Sequence, residues 1–102
     1  MEIQVANKTF DVKVAETDSE KEKGLQGVKE LKDNEGMLFI FDEPQTVQFW
    51  MEDTLIPLDI CFINEDMEIM SIYHGKPMDK TKVEEDNVLY VLEVNPGLVK
   101  EG

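Results

Sequence analysis

Apolar and polar residues alternate with a period of two over much of this chain, which predicts strands with one buried face. Ile3 and Val5 alternate with Glu2 and Gln4, and Phe10, Val12 and Val14 alternate with Asp11 and Lys13. Asn7-Lys8 lies between the two runs, so they read as a hairpin. Thr17 followed by Glu20 forms a capping-box pattern, and a short helix is expected from there to about Leu25, limited by Gly24 and Gly27. Val28 and Leu31 are expected to pack a further short turn before the polar loop from Lys32 to Gly36. Met37 to Phe41 is apolar on both faces, as a central strand would be, and Asp42-Glu43-Pro44-Gln45 reads as its end. Val47–Met51 and Leu58–Asn64 follow as strands. Asn64-Glu65-Asp66 then turns the chain into Met67–Tyr73, whose weaker alternation suits a position near an edge. The polar stretch from Gly75 to Asn87 reads as a long loop, and Val88–Val94 as the last strand, stopped by Asn95-Pro96-Gly97.

The stretch from Phe49 to Ile60 organises the rest, because it holds the only tryptophan and joins two apolar runs through a polar turn. Pro57 cannot donate to a strand ladder and biases Ile56 toward extended backbone, so Glu52–Pro57 should cross at a sheet end. Asp53 and Thr54 suit two readings: they bond the local backbone and hold the turn, or they face a ligand. Glu93 interrupts the apolar run Leu92-Glu93-Val94, and two readings stand for it too. It faces solvent on a half-exposed strand, or it is a buried carboxyl needing a partner or a raised pKa. Trp50, Asp53, Thr54, Asp59 and Glu93 form the candidate site, an aromatic wall with a few convergent polar groups.

Length and charge narrow the classes. A chain of 102 residues predicts one domain over residues 1–102 with one modest core. The formal net charge is -13, from 23 acidic and 10 basic residues, and every basic residue is lysine. Nucleic acid and anionic membrane surfaces are therefore not expected as partners, since phosphate contacts need a cationic face and base readout leans on arginine. The single cysteine, Cys61, lies in an apolar strand and cannot form an internal disulfide, which fits a reducing compartment. With no signal-peptide pattern and no apolar run near ~18 residues, a cytoplasmic or virion-associated location is expected.

Several chemistries lose support. The only serines are Ser19 and Ser71, and Ser71 and His74 on one strand point to opposite faces, which removes a serine triad. A Cys61–His74 dyad has no nearby basic residue in sequence to activate the thiol. One histidine and one cysteine do not make a structural zinc site. Glu52, Asp53 and Asp59 could attract a hard cation, with Asp53 and Asp59 the weak metal candidates, while Asn64–Glu68 lacks the glycine of a calcium loop and reads as an acidic hairpin. No cofactor is expected.

Gly24-Leu25, Gly36-Met37-Leu38-Phe39, Phe49-Trp50-Met51, Thr54-Leu55-Ile56-Pro57-Leu58-Asp59-Ile60 and Tyr90-Val91-Leu92-Glu93 occur in an order and spacing that resembles the domain-of-unknown-function 192 family. The resemblance covers most of the chain. It implies a mainly β, jelly-roll-like or barrel-like sandwich with one short helix near the N-terminus, and no established activity. Where the family usually has Lys-Asn before the threonine, this chain has Glu52-Asp53, and Gly24-Leu25-Gln26-Gly27-Val28 stands where relatives have Gly-Leu-Met with an arginine nearby, so a cationic rim is expected to be anionic here. Relatives commonly continue beyond the position of Gly102 into a last strand, which implies an open sheet edge and oligomerisation by strand addition. Three functions follow as expectations: a non-enzymatic module binding a small ligand or protein partner, a structural component of a larger assembly such as a viral particle, and, on carboxylate density alone, a metal-dependent hydrolase.

Overall fold

The computed structural model describes residues 1–100. Its elements are β1 (Glu2–Val5), β2 (Lys8–Ala15), α1 (Asp18–Lys23), β3 (Glu35–Phe49), β4 (Leu58–Ile63), β5 (Ile69–Gly75) and β6 (Val83–Val94). All six strands belong to one mixed sheet in the order β1-β2-β3-β6-β4-β5. Only β2 and β3 run parallel, and the crossover such a pair requires is the segment carrying α1.

Local chemistry accounts for the ends of these elements. Ala6 and Asn7 both take positive φ, 51° and 65°, the backbone of the tight turns whose twist matches antiparallel strands. At α1 the Thr17 hydroxyl accepts from the Glu20 amide at 3.2 Å, and the Glu20 carboxylate accepts from the Thr17 amide at 3.0 Å. The Thr17 amide, with the Glu16 amide that donates to the same carboxylate at 3.2 Å, holds the Glu20 carboxyl below its ordinary pKa. Gly24, with φ 50°, ends the helix. Between β4 and β5, Asn64 Oδ1 accepts from the amides of Asp66 and Glu68, both at 3.0 Å, so the acidic segment is a side-chain-braced hairpin turn.

Strand register sorts the core onto two faces. Phe39, Val91 and Phe62 are cross-strand neighbours, and with Ile60, Leu58, Val88, Val47 and Met51 they form one cluster, which Leu25 covers from the segment after α1. Leu38, Leu92 and Cys61, one residue out of phase, point to the other face and join Phe10, Val12, Ile63, Val94 and Val99.

The structure departs from the sequence-based expectation at three places. First, the described strands form one open sheet, not a closed barrel, and no second sheet of a sandwich or jelly roll stands among the described residues. Its edges, β1 and β5, are not hydrogen-bonded to each other, although Gln4, Val5 and Ala6 face Ile63, Met67, Glu68 and Ile69 across a groove. Second, Asp42-Glu43-Pro44-Gln45 does not end a strand: β3 runs through it for 15 residues, with register shifts against β6 between Ile40 and Gln45 and again between Gln45 and Val47. A proline is tolerated here because the ladder is interrupted at a bulge. Third, the expected loop from Gly75 to Asn87 is half strand. Val83, Glu84 and Glu85 pair with Phe49, Gln48 and Val47, and their exposed polar side chains bond across the ladder, Gln48 Nε2 to Glu84 at 3.2 Å and Thr46 Oγ1 to Asp86 at 2.7 Å. The expectation that a closing strand is missing at Gly102 concerns positions outside the described residues. Among the described residues no helix is long and apolar enough to cross a membrane.

Two glycines let backbone approach its neighbours. A Cβ on Gly36 would stand 2.7 Å from the carbonyl oxygen of Glu93, and one on Gly75 would meet Met51 Sδ at 2.6 Å. The first neighbour is strand backbone and cannot turn aside, whereas the second is a side chain. Gly36→Ala is therefore expected to destabilise the fold by roughly 2–3 kcal/mol, more than Gly75→Ala, in urea titrations of the two variants. Equal losses would contradict this account.

Candidate functional site

Glu93 is the outlier of the core. It sits on β6 between Met37 of β3 and Ile60 of β4, on the same face as Phe39 and Phe62, and is only 5% exposed. Among the described residues no hydrogen bond or ion pair engages its side chain, and burial pushes its carboxyl up from 4.5 to about 8. Its oxygens are nevertheless not sealed in, because among the described residues no side-chain nitrogen or oxygen is fully buried without a partner. They open onto a cavity of about 370 Å³.

Four segments build that cavity. The end of α1 and the turn after it bring Lys21 to Gln26, and the two arms of bent β3 bring Phe39 with Phe41 and Gln45 to Phe49. The crossing brings Trp50 and Thr54, and β6 brings Glu93. Phe39 and Phe49 meet edge to face at 5.0 Å, and Phe49 meets Phe62 the same way at 5.9 Å, which fixes the aromatic wall. The crossing is tied down by backbone bonds, Met51 N to Asp79 O at 3.0 Å, Thr54 N to Met51 O at 3.1 Å and Met78 N to Thr54 O at 2.9 Å. Gly27 N donates to Asp53 O at 3.1 Å, joining the turn after α1 to the crossing.

Of the five residues singled out from sequence, Trp50, Thr54 and Glu93 line this one cavity. Asp53 does not reach it. It is exposed, takes φ 58° at the tip of the turn, and borders a neighbouring shallow groove with Trp50, Glu52, Ser19, Glu22, Lys23 and Gln26. Asp59 lies on the opposite face of the sheet, fully buried. Its Oδ1 is 2.6 Å from His74 Nδ1, and its Oδ2 accepts from the Gly97 amide at 2.9 Å, so it anchors the turn after β6. The carboxylates thought to gather at the crossing are thus dispersed. His74 bonds Asp59 and not Cys61, which is wholly buried. Among the described residues no three His, Cys, Asp or Glu side chains gather where they could hold a metal ion.

The expected anionic rim is also revised: Lys21 and Lys23 stand at the cavity beside Glu22, because the helix brings there what the crossing lacks. Lys21 Nζ lies 4.3 Å from the centre of the Phe41 ring, and Lys82 Nζ lies 5.3 Å from that of Trp50. Sequence reasoning missed Phe41, Gln45 and the α1 side of the wall. Part of the signal lies in the sequence, since Gly24-Leu25 and Phe39 belong to the segments that carry the family resemblance and line this cavity.

The two buried carboxyls lead to opposite expectations. Asp59→Ala should cost about 1–3 kcal/mol in urea unfolding, because the Gly97 amide loses its acceptor. For Glu93 the folded pKa is raised, so between 4.5 and about 8 the folded chain holds more protons than the unfolded one. Stability then falls as pH rises through that window. Glu93→Gln should abolish this slope, giving a variant that gains on the native chain from pH 5 to pH 8 by on the order of a few kcal/mol. Parallel pH profiles for the two proteins would refute the assignment.

Comparison with known proteins places this geometry in context. The chain is similar to a protein of unknown function from Novosphingobium aromaticivorans DSM 12444, with 41% identity and a TM-score of 0.86 over 89% of this chain. This chain spans 66% of that protein's length, just under two thirds. It is also similar to a protein from Sinorhizobium meliloti 1021 described as a candidate transcription regulator, with 32% identity and a TM-score of 0.90 over 99% of this chain and 86% of the other. A comparison with curated proteins finds no match. The model of the DUF192 family, described as "Uncharacterized ACR", matches residues 1–102, and the chain belongs to that family.

Proposed function

We propose that this chain is a non-enzymatic binding module whose site is the cavity between the end of α1, the bent strand β3 and the crossing at Trp50–Thr54. The observation that carries this reading is the unpartnered, buried carboxyl of Glu93 opening onto that space. A polar group largely withdrawn from water without a protein partner costs stability, and a ligand that bonds to it recovers part of the loss. The volume falls in the range of small-molecule sites, and Phe39, Phe41, Phe49 and Trp50 stand in the lining, together with polar side chains that make up about half of it. Binding is favoured over catalysis because the residues with nucleophilic or proton-relay chemistry, Cys61 and the Asp59–His74 pair, belong to the other face. Asp53 contributes from outside, by shaping the turn that presents Thr54.

Two other readings have less support. A transcription-regulating role, which is how the Sinorhizobium protein is described, would not be exercised here by binding DNA directly, given a net charge of -13 and a chain without arginine. Assembly by strand addition has two sheet edges to use, β1 of four residues and β5 of seven; a short edge such as β1 is a poor template, so this reading would rest on β5.

Trp50 is the only tryptophan and 40% exposed, so its emission reports on the cavity and its replacement should leave the fold standing. In a small-molecule screen of the full chain, hits are expected to shift Trp50 emission and the amide resonances of Gly24, Phe41, Thr54 and Glu93. Trp50→Leu should lower their affinity about tenfold while changing stability by no more than about 1 kcal/mol. A diverse screen leaving all these signals unmoved would remove the proposal.

A further inference from the structure

We propose that the ligand of this cavity is an organic cation, an alkylammonium or guanidinium group, seated with its charge at Glu93 and its carbon chain along the aromatic wall. This rests on the reading of the cavity as a binding site and names the chemistry that site accepts.

The lining argues against the other classes. An anion would have to settle beside a carboxyl flanked in register by Met37 and Ile60, with no cationic group bonded to it. The lysines that reach the cavity, Lys21 and Lys23, come from α1, where Glu22 stands with them. A neutral alcohol or amide can hydrogen-bond to Glu93 in either protonation state, but it brings no charge to balance the carboxylate and gains no cation–π attraction from the ring faces. A cation uses both: it forms an ion pair with hydrogen bonds at the carboxylate, and it is attracted to aromatic faces. The protein already shows the second contact, since Lys21 and Lys82 set their ammonium groups over Phe41 and Trp50. The overall charge of -13 adds a long-range attraction for cations that salt weakens.

Ion pairing has a proton consequence. The charged groups facing the site are Lys21, Glu22 and Lys23 of α1 and Lys82 near Trp50; β3, β4 and the crossing contribute uncharged neighbours to Glu93. Glu93 is therefore the group that changes charge on binding. Below its pKa it must release its proton to bulk water as the cation enters, so affinity rises with pH.

The test uses the full chain with n-butylamine, spermidine, and an N-acetylated peptide with one lysine, against n-butanol, butyramide and butyrate. Binding is read from Trp50 emission and from the Gly24, Phe41, Thr54 and Glu93 amide resonances. The amines are expected to bind at least tenfold tighter than the alcohol, and their affinity to rise close to tenfold from pH 6 to pH 7 as Glu93 gives up one proton. Glu93→Gln should erase both effects, and Lys21→Met should strengthen amine binding by removing the resident ammonium. Spermidine binding above the peptide identifies a free amine as the source of the cation, and the reverse identifies a basic side chain of a partner. The pH profile of the native chain decides the matter even if the Glu93 variant is poorly folded. Should butanol or butyramide bind as well as the amines, or amine affinity stay flat with pH, the cation assignment fails while the binding site survives. If no probe of any class moves the cavity signals, both fall.

Discussion

The pairing of β3 with β6 is the constraint from which the rest follows. These are the two longest strands, 15 and 12 residues, and they pair at both ends, from Met37 with Glu93 to Phe49 with Val83. Between those ends the register slips twice, and Asn87, with φ 60°, marks the irregularity on the β6 side. A long antiparallel pair interrupted by bulges bends. The bend is what brings Phe39 from one arm of β3 into edge contact with Phe49 from the other, and so gives the cavity its wall. Without it, α1 and the crossing would have no concave surface to close over.

The same strand pairs show how one residue of phase decides the fate of a carboxyl. Asp59 is opposite Val94, and Glu93 is opposite Ile60, so the two acids are register neighbours that project through opposite faces of the sheet. Asp59 finds a backbone amide and an imidazole, and its burial is supported by hydrogen bonds that hold the turn at Gly97. Glu93 finds Met37 and Ile60, and its only relief is to stay protonated through neutral pH. One acid is part of the framework, and the other has no such part in it.

What was legible in the sequence was local. The capping box at Thr17, the turn at Asn7, the braced turn at Asn64 and the crossing at Pro57 all depend on residues within a few positions of one another, and each stands where its chemistry predicts. The misreadings were of features fixed at long range. Asp42 to Gln45 carries turn chemistry, yet β6 is long enough to hold both arms of β3 in one sheet across it. Glu84 and Glu85 have the composition of a loop, and their place in a strand comes from partners some 40 residues away in sequence. The candidate site divided for the same reason. Alternation along one strand separates odd from even positions, but which parity of β4 shares a face with which parity of β6 is set by register, and register is not written in either segment alone.

Glu93 is therefore best understood as a local rule broken without compensation inside the fold. A leucine or methionine of similar volume would extend the apolar cluster formed with Phe39, Ile60 and Val91 and would remove the pH-dependent loss of stability. A domain of this size is stable by only about 5–15 kcal/mol, so a desolvated acid is a substantial concession. Asp59 shows that this sheet can surround a buried carboxyl with donors when the carboxyl serves the framework. Among the described residues no such donors surround Glu93, where the chain opens onto a space bordered by aromatic rings, and that contrast is what the proposed binding site rests on.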